Sequence, residues 1–151
     1  MTRILVDADA CPVKEEIYRV ARRHGLRVLL VSNSWMRVPP WDWIELVVVD
    51  DSFDAADDWI AAQATPKDVV VTSDIPLAAR CLEAGARVLG PKGRRFTEES
   101  IGEALASREL TAHLREMGIQ AGGPAPLEKK DRSRFLQHLE DVLQALRREK
   151  P

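Results

Sequence analysis

The sequence predicts an α/β fold: a three-layer sandwich in which a five-stranded, mainly parallel sheet carries helices on both faces, with further helices towards the C-terminus. Two observations predict it. Short apolar runs alternate with amphipathic helical segments, and 151 residues with 45% hydrophobic and 30% charged side chains suit one domain with a sizeable core. Right-handed crossovers between parallel strands place helices on both faces of the sheet.

The N-terminal part of the chain predicts three strands and one helix. Each strand is an apolar run ended by a polar residue, as expected for strands buried on both faces. Pro12 suits the first turn of a helix, and Gly25 ends that helix. The predicted elements are a strand at 3–6, a helix at 12–24, a strand at 26–31 and, after a loop at 34–43, a strand at 44–49.

The middle of the chain continues the same alternation. Ser52 or Asp54 can cap a second helix, which ends at Thr65-Pro66. A strand follows at 69–72, then a helix that Pro76 opens and Gly85 closes, and a fifth strand at 86–89. These repeats of strand and helix specify the parallel sheet.

The C-terminal part has a different character. We divide the single domain, residues 1–151, into a core at 1–120, a loop at 121–133 rich in Gly and Pro, and an amphipathic helix at 134–150. Within the core, residues 98–117 are predicted to be helical. The apolar stripe of the last helix is expected to pack against the core or against a second copy of the chain in a homodimer. Its members are Phe135, Leu139, Val142, Leu143 and Leu146.

Charge, hydropathy and cysteine content narrow the functional classes. A net charge of -2 gives no global attraction to nucleic acid or to a membrane, so any contact with nucleic acid must be local. No apolar run is long enough for a membrane helix or a signal peptide, so we expect a cytoplasmic protein without membrane contact. Cys11 and Cys81 lie far apart and predict neither a disulfide nor a zinc site.

Acidic residues collect at one edge of the predicted sheet. Asp7 and Asp9 follow the first strand, and Asp74 follows the fourth. In an open α/β sheet ligands bind beyond the carboxyl ends of the strands. If the first strand pairs with the fourth, Asp7 and Asp74 come together, and a cation is needed to offset their repulsion. Oxygen ligands without a Cys or His cluster favour Mg²⁺ or Mn²⁺.

The second helix begins with further carboxylates, at Asp54, Asp57 and Asp58. Taken singly, each is explained equally well as a helix-capping residue, because Asp in a first turn meets free N–H groups and the helix dipole. Asp50 and Asp51 are interpreted as turn residues.

A metal-bound carboxylate cluster suits hydrolysis of phosphate esters, and a phosphate also needs positive contacts. Lys92, Arg94 and Arg95 follow the fifth strand in a loop whose glycines, Gly90 and Gly93, would let the backbone approach a ligand; the alternative is a solvated basic loop. The full set of candidate substrate-binding residues is Lys14, Asn33, Ser73, Lys92, Arg94 and Arg95.

Three of the four tryptophans, Trp35, Trp41 and Trp43, crowd the loop after the second strand. They could stack on nucleic-acid bases. The alternatives are that the loop folds over the sheet edge or forms a dimer contact.

Four segments resemble successive signatures of the bacterial YaiI/YqxD family: DADACPVK at 7–14, DAADDWI at 54–60, TSDIPLA at 72–78 and GPKGR at 90–94. The resemblance spans nearly the whole chain. That family is similar to PIN-like domains, whose nucleases hold acidic residues at the ends of the first and fourth strands and on an intervening helix.

The resemblance implies a metal-dependent nuclease, with RNA as the favoured substrate, that uses Mg²⁺ or Mn²⁺. It implies Asp7 and Asp74 as strand-end ligands, Asp54 or Asp57 as the helical acid, and Asp9 as an auxiliary ligand; Asp7, Asp74 and Asp57 form the implied catalytic set. PIN nucleases usually carry Glu on the helix and a further acid after the fourth-strand Asp. Residues 75–77 supply none, which disfavours a full two-metal site.

Two rival functions remain open from the sequence. A haloacid-dehalogenase-like phosphatase would use Asp7 as its nucleophile, because Asp7-Ala8-Asp9 resembles the Asp-x-Asp of that family. Against it, the helix is predicted to begin at once with Cys11-Pro12, and no segment is long enough for a substrate cap. The other rival is a non-catalytic RNA-binding or regulatory module with the same fold.

Overall fold

A computed structural model describes residues 2–52, 54–116 and 126–149. Its six strands form one sheet: β1 (Arg3–Asp7), β2 (Arg27–Ser32), β3 (Ile44–Val48), β4 (Val69–Val71), β5 (Arg87–Leu89) and β6 (Arg95–Phe96). Their order across the sheet is β3-β2-β1-β4-β5-β6. All neighbours are parallel except β5 and β6, which are antiparallel.

Helices cover both faces of this sheet. They are α1 (Lys14–His24), α2 (Ala55–Gln63), α3 (Ile75–Glu83), α4 (Glu98–Glu116) and α5 (Lys129–Arg148). In β1, Ile4 and Val6 join the core that α1 and α5 cover, whereas Leu5 joins the core of α2 and α3, against which α4 packs. Alternate side chains of a buried strand serve opposite layers. The predicted α/β sandwich is therefore confirmed, with one strand more than expected.

The additional strand, β6, is two residues long. Arg95 pairs with Leu89 and Phe96 with Val88, so β6 folds back on the edge strand β5. Too short for an apolar pattern, it was predicted as part of a basic loop. The side chain of Phe96 is buried in the core on the α2–α3 face of the sheet, which holds β6 in place.

The last helix begins earlier than predicted. Residues 129–133, assigned to the loop at 121–133, form the first turn of α5, because Glu128 and Asp131 make a reciprocal capping box. The backbone N–H of Glu128 donates to Oδ2 of Asp131 at 2.9 Å. Residues 121–125 of that predicted loop lie outside the described part of the chain.

The apolar stripe of α5 packs on the sheet core, which resolves the choice between core and second copy in favour of the core. Phe135 and Leu139 are fully buried there, and Leu143 nearly so. Hydrogen bonds from Arg132 to Glu16 and between His24 and Glu140 show that α5 runs parallel to α1. The N-terminus of α5 thus lies near the carboxyl ends of the strands.

The connection from β1 to α1 also differs in detail. Ala8–Ala10 form a short 3-10 turn, and α1 begins at Lys14 rather than at Pro12.

Among the helices of the described ranges, none is sufficiently long and apolar to cross a bilayer.

Candidate active site

The carboxyl ends of β1 and β4 meet where the strand order reverses. From β1 the chain proceeds to β2 and β3 on one side, and β4, β5 and β6 lie on the other. Val6 of β1 pairs with Val71 of β4, so the residues that follow them, Asp7 and Thr72, lie side by side. Ligands of open α/β sheets bind in the crevice at such a point. The predicted pairing of the first and fourth strands is confirmed.

Thr72 links Asp7 to Asp74. Its hydroxyl donates to Oδ2 of Asp7 at 2.9 Å and accepts from the backbone N–H of Asp74 at 3.0 Å. Thr72 is 2% exposed. Asp74 also caps α3, since its Oδ1 accepts from the N–H of Leu77 at 2.9 Å. One buried hydroxyl therefore links the carboxylate of Asp7 to the backbone of Asp74, and capping engages one oxygen of the Asp74 carboxylate.

Asp9 is held by the end of β2. Its Oδ1 accepts from the hydroxyl of Ser32 at 2.7 Å, and its Oδ2 accepts from the backbone N–H of Asn33 at 3.0 Å. The Asn33 amide donates in turn to the carbonyls of Asp50 and Ser52, both at 3.3 Å. Asp9 and Asn33 thus tie three loops together at this edge of the sheet.

Asp57 faces the strand-end acids from α2. Burial raises the pKa of its carboxyl to about 6, and repulsion from Asp74, Asp7 and Asp54 adds to that increase, while Arg80 opposes it. Asp54 immediately precedes α2, where its side chain caps no N–H group. Asp58 turns away and forms an exposed ion pair with Arg80 at 2.8 Å. Of the three acids at the start of α2, Asp57 is therefore the one that belongs to the cluster.

The cluster carries uncompensated negative charge. Burial raises the pKa of Asp7 above its ordinary value, and repulsion from Asp74 and Asp9 raises it further against the hydrogen bond from Thr72. Across the described residues, no ion pair involves Asp7, Asp57 or Asp74. A cation bound here would remove this repulsion.

The donors are carboxylate oxygens, which hard divalent cations such as Mg²⁺ prefer. Within 2–52, 54–116 and 126–149, however, no three His, Cys, Asp or Glu side chains are grouped so that they could hold a metal ion. The acids are close enough to repel one another but do not form a ready-made coordination sphere. The residues fit such an ion by their chemistry, and the side chains would have to close around it.

The candidate cations have different surroundings. The ammonium of Lys14 donates to the carbonyl of Cys11 at 2.9 Å, so it is directed at the turn after β1. Lys92 and Arg94 lie between β5 and β6, where the Arg94 guanidinium stands 5.1 Å from the ring centre of Phe96. Arg95 lies in β6 and pairs with Asp141 of α5 at 3.2 Å. Of the predicted substrate-binding cations, Lys92 and Arg94 are therefore the two that lie in the turn after β5, at the same edge of the sheet as the carboxylates.

Gly93 has a structural role in that turn. Its φ is +89°, and a Cβ there would come within 2.8 Å of Cγ of Arg134 on α5. The Gly93 carbonyl also accepts a hydrogen bond from Nδ1 of His138. The close backbone approach predicted for a ligand is thus made to α5 instead.

Two residues of the site are absent from the predicted nuclease site, Ser32 and Thr72. Each is a buried hydroxyl at the end of a strand that flanks β1, and each donates to one acid that follows β1. The sequence feature that could have identified them is a Ser or Thr directly after an apolar run, in a strand predicted to neighbour the one that ends at Asp7. Ser73, a predicted substrate contact, is exposed next to Thr72.

Comparison with known proteins identifies relatives along the whole chain. The chain is 59% identical to a UPF0178 protein of Rhodospirillum centenum over 152 residues, covering 98% of this chain and 99% of the relative. It is 58% identical to a UPF0178 protein of Parvibaculum lavamentivorans over 151 residues, covering 100% and 99%. A UPF0178 protein of Sphingopyxis alaskensis is 60% identical over 146 residues, covering 96% and 95%.

No solved structure matches the chain. A family model described as an uncharacterised YaiI/YqxD family matches residues 5–145, a range that spans the carboxylate cluster. Together with the full-length relatives, this match establishes that the chain belongs to the YaiI/YqxD family.

Proposed function

We propose that this protein is a Mg²⁺- or Mn²⁺-dependent nuclease that hydrolyses phosphodiester bonds at the carboxylate cluster of Asp7, Asp57 and Asp74. One observation carries the proposal. Asp7 and the backbone of Asp74 are linked by the hydroxyl of Thr72 at the point where the strand order reverses, and Asp57 faces them and forms no ion pair with a described residue. Carboxylates that raise one another's pKa at the ligand-binding edge of such a sheet are candidates for a functional site.

Asp7 and Asp74 are the residues that would hold the cation. Asp9 would support them by fixing the turn after β1 to the end of β2. When bound, the ion would offset charge on the scissile phosphate and lower the pKa of a bound water. Thr72 fixes the direction of the Asp7 carboxylate and leaves its Oδ1 available, while capping leaves Oδ2 of Asp74 available. Both remaining oxygens can therefore serve as ligands.

Asp57 is suited to take a proton from the attacking water. Neither of its oxygens accepts a hydrogen bond from the described residues, and its pKa of about 6 lies near the working range of a general base. The water oxygen would bond to phosphorus while its proton passed to Asp57. The bond to the leaving oxygen of the sugar would break, and that oxygen would take a proton from solvent. Lys92 and Arg94 would contact flanking phosphates from the turn after β5.

RNA is the substrate class that the resemblance to PIN-like nucleases favours over DNA, a comparison that rests on the fold. A phosphatase with Asp7 as nucleophile is disfavoured because only residues 8–13, which include a 3-10 turn, separate β1 from α1. That segment offers no substrate cap. We therefore place the phosphatase second to the nuclease.

The test is cleavage of end-labelled single-stranded RNA and DNA by purified protein with Mg²⁺ or Mn²⁺. We expect cleavage that chelator abolishes and that Asp74→Asn or Asp57→Asn reduces by at least about 100-fold. Asp58→Asn is the matched control, because its side chain neighbours Asp57 but pairs outward with Arg80. Wild-type protein that cuts no strand with either metal would contradict the nuclease. RNA retention that these substitutions leave unchanged, without cleavage, would favour the binding module.

A further inference from the structure

Trp35 is the most exposed of the three tryptophans in the loop after β2. It is 75% exposed, whereas Trp41 is 42% exposed and stacks on Trp43 with ring centres 5.2 Å apart and planes inclined by 9°. The Arg22 guanidinium stands 5.7 Å from the Trp41 ring, and Trp43 packs against the core of α1 and α5. The predicted folding of the loop over the sheet thus accounts for Trp41 and Trp43 but leaves Trp35 in solvent.

The backbone that leads to Trp35 is anchored to the candidate active site. Ser32 and Asn33 both donate to the carboxylate of Asp9, and the N–H of Ser34 donates to the Ser32 hydroxyl at 3.2 Å. Trp35 follows directly. An aromatic side chain on a fixed backbone loses little conformational entropy when it binds a flat partner, which favours a binding role.

The loop that contains Trp35 follows β2, and the turn with Lys92 and Arg94 follows β5. Between these strands lie β1, which ends at Asp7, and β4, which Asp74 follows, so the strand order puts the carboxylates between the loop and the turn. Neighbouring strands are about 4.8 Å apart, so these features line roughly 14 Å of one sheet edge. Along this edge the aromatic ring could stack on a base, the carboxylate cluster could act on one phosphate, and the cationic turn could contact another phosphate of the same single strand.

We propose that Trp35 stacks on an unpaired nucleobase beside the carboxylate cluster and so makes single-stranded nucleic acid the substrate. This inference rests on the proposed nuclease function and specifies the substrate of the same site. A paired base cannot offer its face, since both faces are stacked within a duplex. Stacking is tolerant of base identity, so the contact would select for strandedness rather than for sequence.

The experiment measures fluorescence anisotropy of a labelled twelve-residue oligouridine on full-length protein carrying Asp74→Asn, which blocks turnover. A second strand of the same length has abasic sugars in place of its bases. We expect Trp35→Ala to weaken oligouridine binding by about 5- to 100-fold and Trp35→Phe to restore most of it. Neither change should affect the abasic strand, because that strand offers only phosphates and sugars.

Trp41→Ala is the matched control, since Trp41 is 42% exposed but already stacked on Trp43. We expect it to bind oligouridine as tightly as the parent, with folding checked by thermal melting. Equal weakening of both strands by Trp35→Ala, unchanged affinity for oligouridine, or no binding of any strand would overturn the proposal.

Normal metal-dependent cleavage with no effect of Trp35→Ala would refute stacking alone. Trp35-dependent binding of bases without cleavage by wild-type protein would refute the nuclease alone.

Discussion

The two edges of the sheet surround a carboxylate in different ways. At the edge where the strands begin, Asp68 is fully buried and accepts four hydrogen bonds, two from the Arg3 guanidinium and two from Thr65. At the edge where the strands end, Asp7 is partly buried, accepts one hydrogen bond from the described residues, that of Thr72, and is repelled by Asp74 and Asp9. The first carboxylate is compensated by the chain, and the second is not.

Burying a charge is costly unless donors and counter-charges replace water. Asp68 has both, so folding explains it. Asp7 and Asp57 are partly buried, repel neighbouring acids and form no ion pair with a described residue. This contrast is the reason why we propose a functional role for the cluster and a structural one for Asp68.

The largest expected effect comes from Asp7→Asn. This change removes a carboxylate of the cluster while it keeps the shape of the side chain, so we expect nuclease activity to fall by at least about 100-fold. The free energy of unfolding should stay within about 1 kcal/mol of the parent or rise, because repulsion from Asp74 and Asp9 is relieved. Cleavage rates and urea unfolding measure the two quantities. A large loss of stability would mean that Asp7 is structural.

Asp68→Asn should show the reverse. It leaves the Arg3 guanidinium without its counter-charge beside a buried amide, so we expect the free energy of unfolding to fall by about 3 kcal/mol. Activity per folded molecule, measured well below the melting temperature, should remain that of the wild type. Loss of activity in molecules that remain folded would remove the distinction between the two edges.

A smaller effect is expected from Thr72→Val, which removes the hydroxyl between Asp7 and Asp74 and keeps the β-branched shape of the strand end. Groups that orient a metal ligand typically change activity or metal affinity by about 10- to 100-fold, and we expect the lower part of that range. Thr65→Val is its counterpart, because the Thr65 hydroxyl donates to Asp68 at 2.9 Å. Thr65→Val should lower stability by about 1 kcal/mol without changing activity.

Much of this arrangement is predictable from the sequence. Strand ends and helix starts locate Asp7, Asp74 and the acids of α2 at one edge, because side chains at the carboxyl ends of parallel strands share that edge. The resemblance implies Asp57 and not Asp58, but periodicity alone does not predict that choice, since neighbouring residues on a helix differ by about 100° in direction and packing decides which faces the sheet.

Two features that hydrophobic periodicity does not predict share a physical cause. The start of α5 depends on the capping box of Glu128 and Asp131, and the turn at Gly93 depends on close contact with Arg134. Both are set by groups that meet through side-chain or tertiary contact, whereas hydrophobic periodicity reports only which face is buried. The Asp68 site is of the same kind, because its partner Arg3 lies 65 positions away.

The smallest predicted effect is a pH dependence of stability that belongs to Asp57. Its pKa is about 6 in the folded protein against 3.8 ordinarily, so the folded state binds the proton more tightly than the unfolded state. The contribution of Asp57 to the free energy of unfolding is therefore greatest below about pH 4 and falls as the pH rises to about 6.

In chelator at pH 7, Asp57→Asn should be more stable than wild type by about 1 kcal/mol, a value reduced for solvent screening. The two proteins should be equally stable near pH 4, and Mg²⁺ should narrow the difference at pH 7, because a cation held by Asp7 and Asp74 offsets the Asp57 charge that only the wild type carries. Urea unfolding of both proteins and of Asp58→Asn across this range measures it. If Asp57→Asn were the less stable protein at pH 7, Asp57 would be a compensated carboxylate like Asp68, and the contrast between the two edges would rest on Asp7 and Asp74 alone.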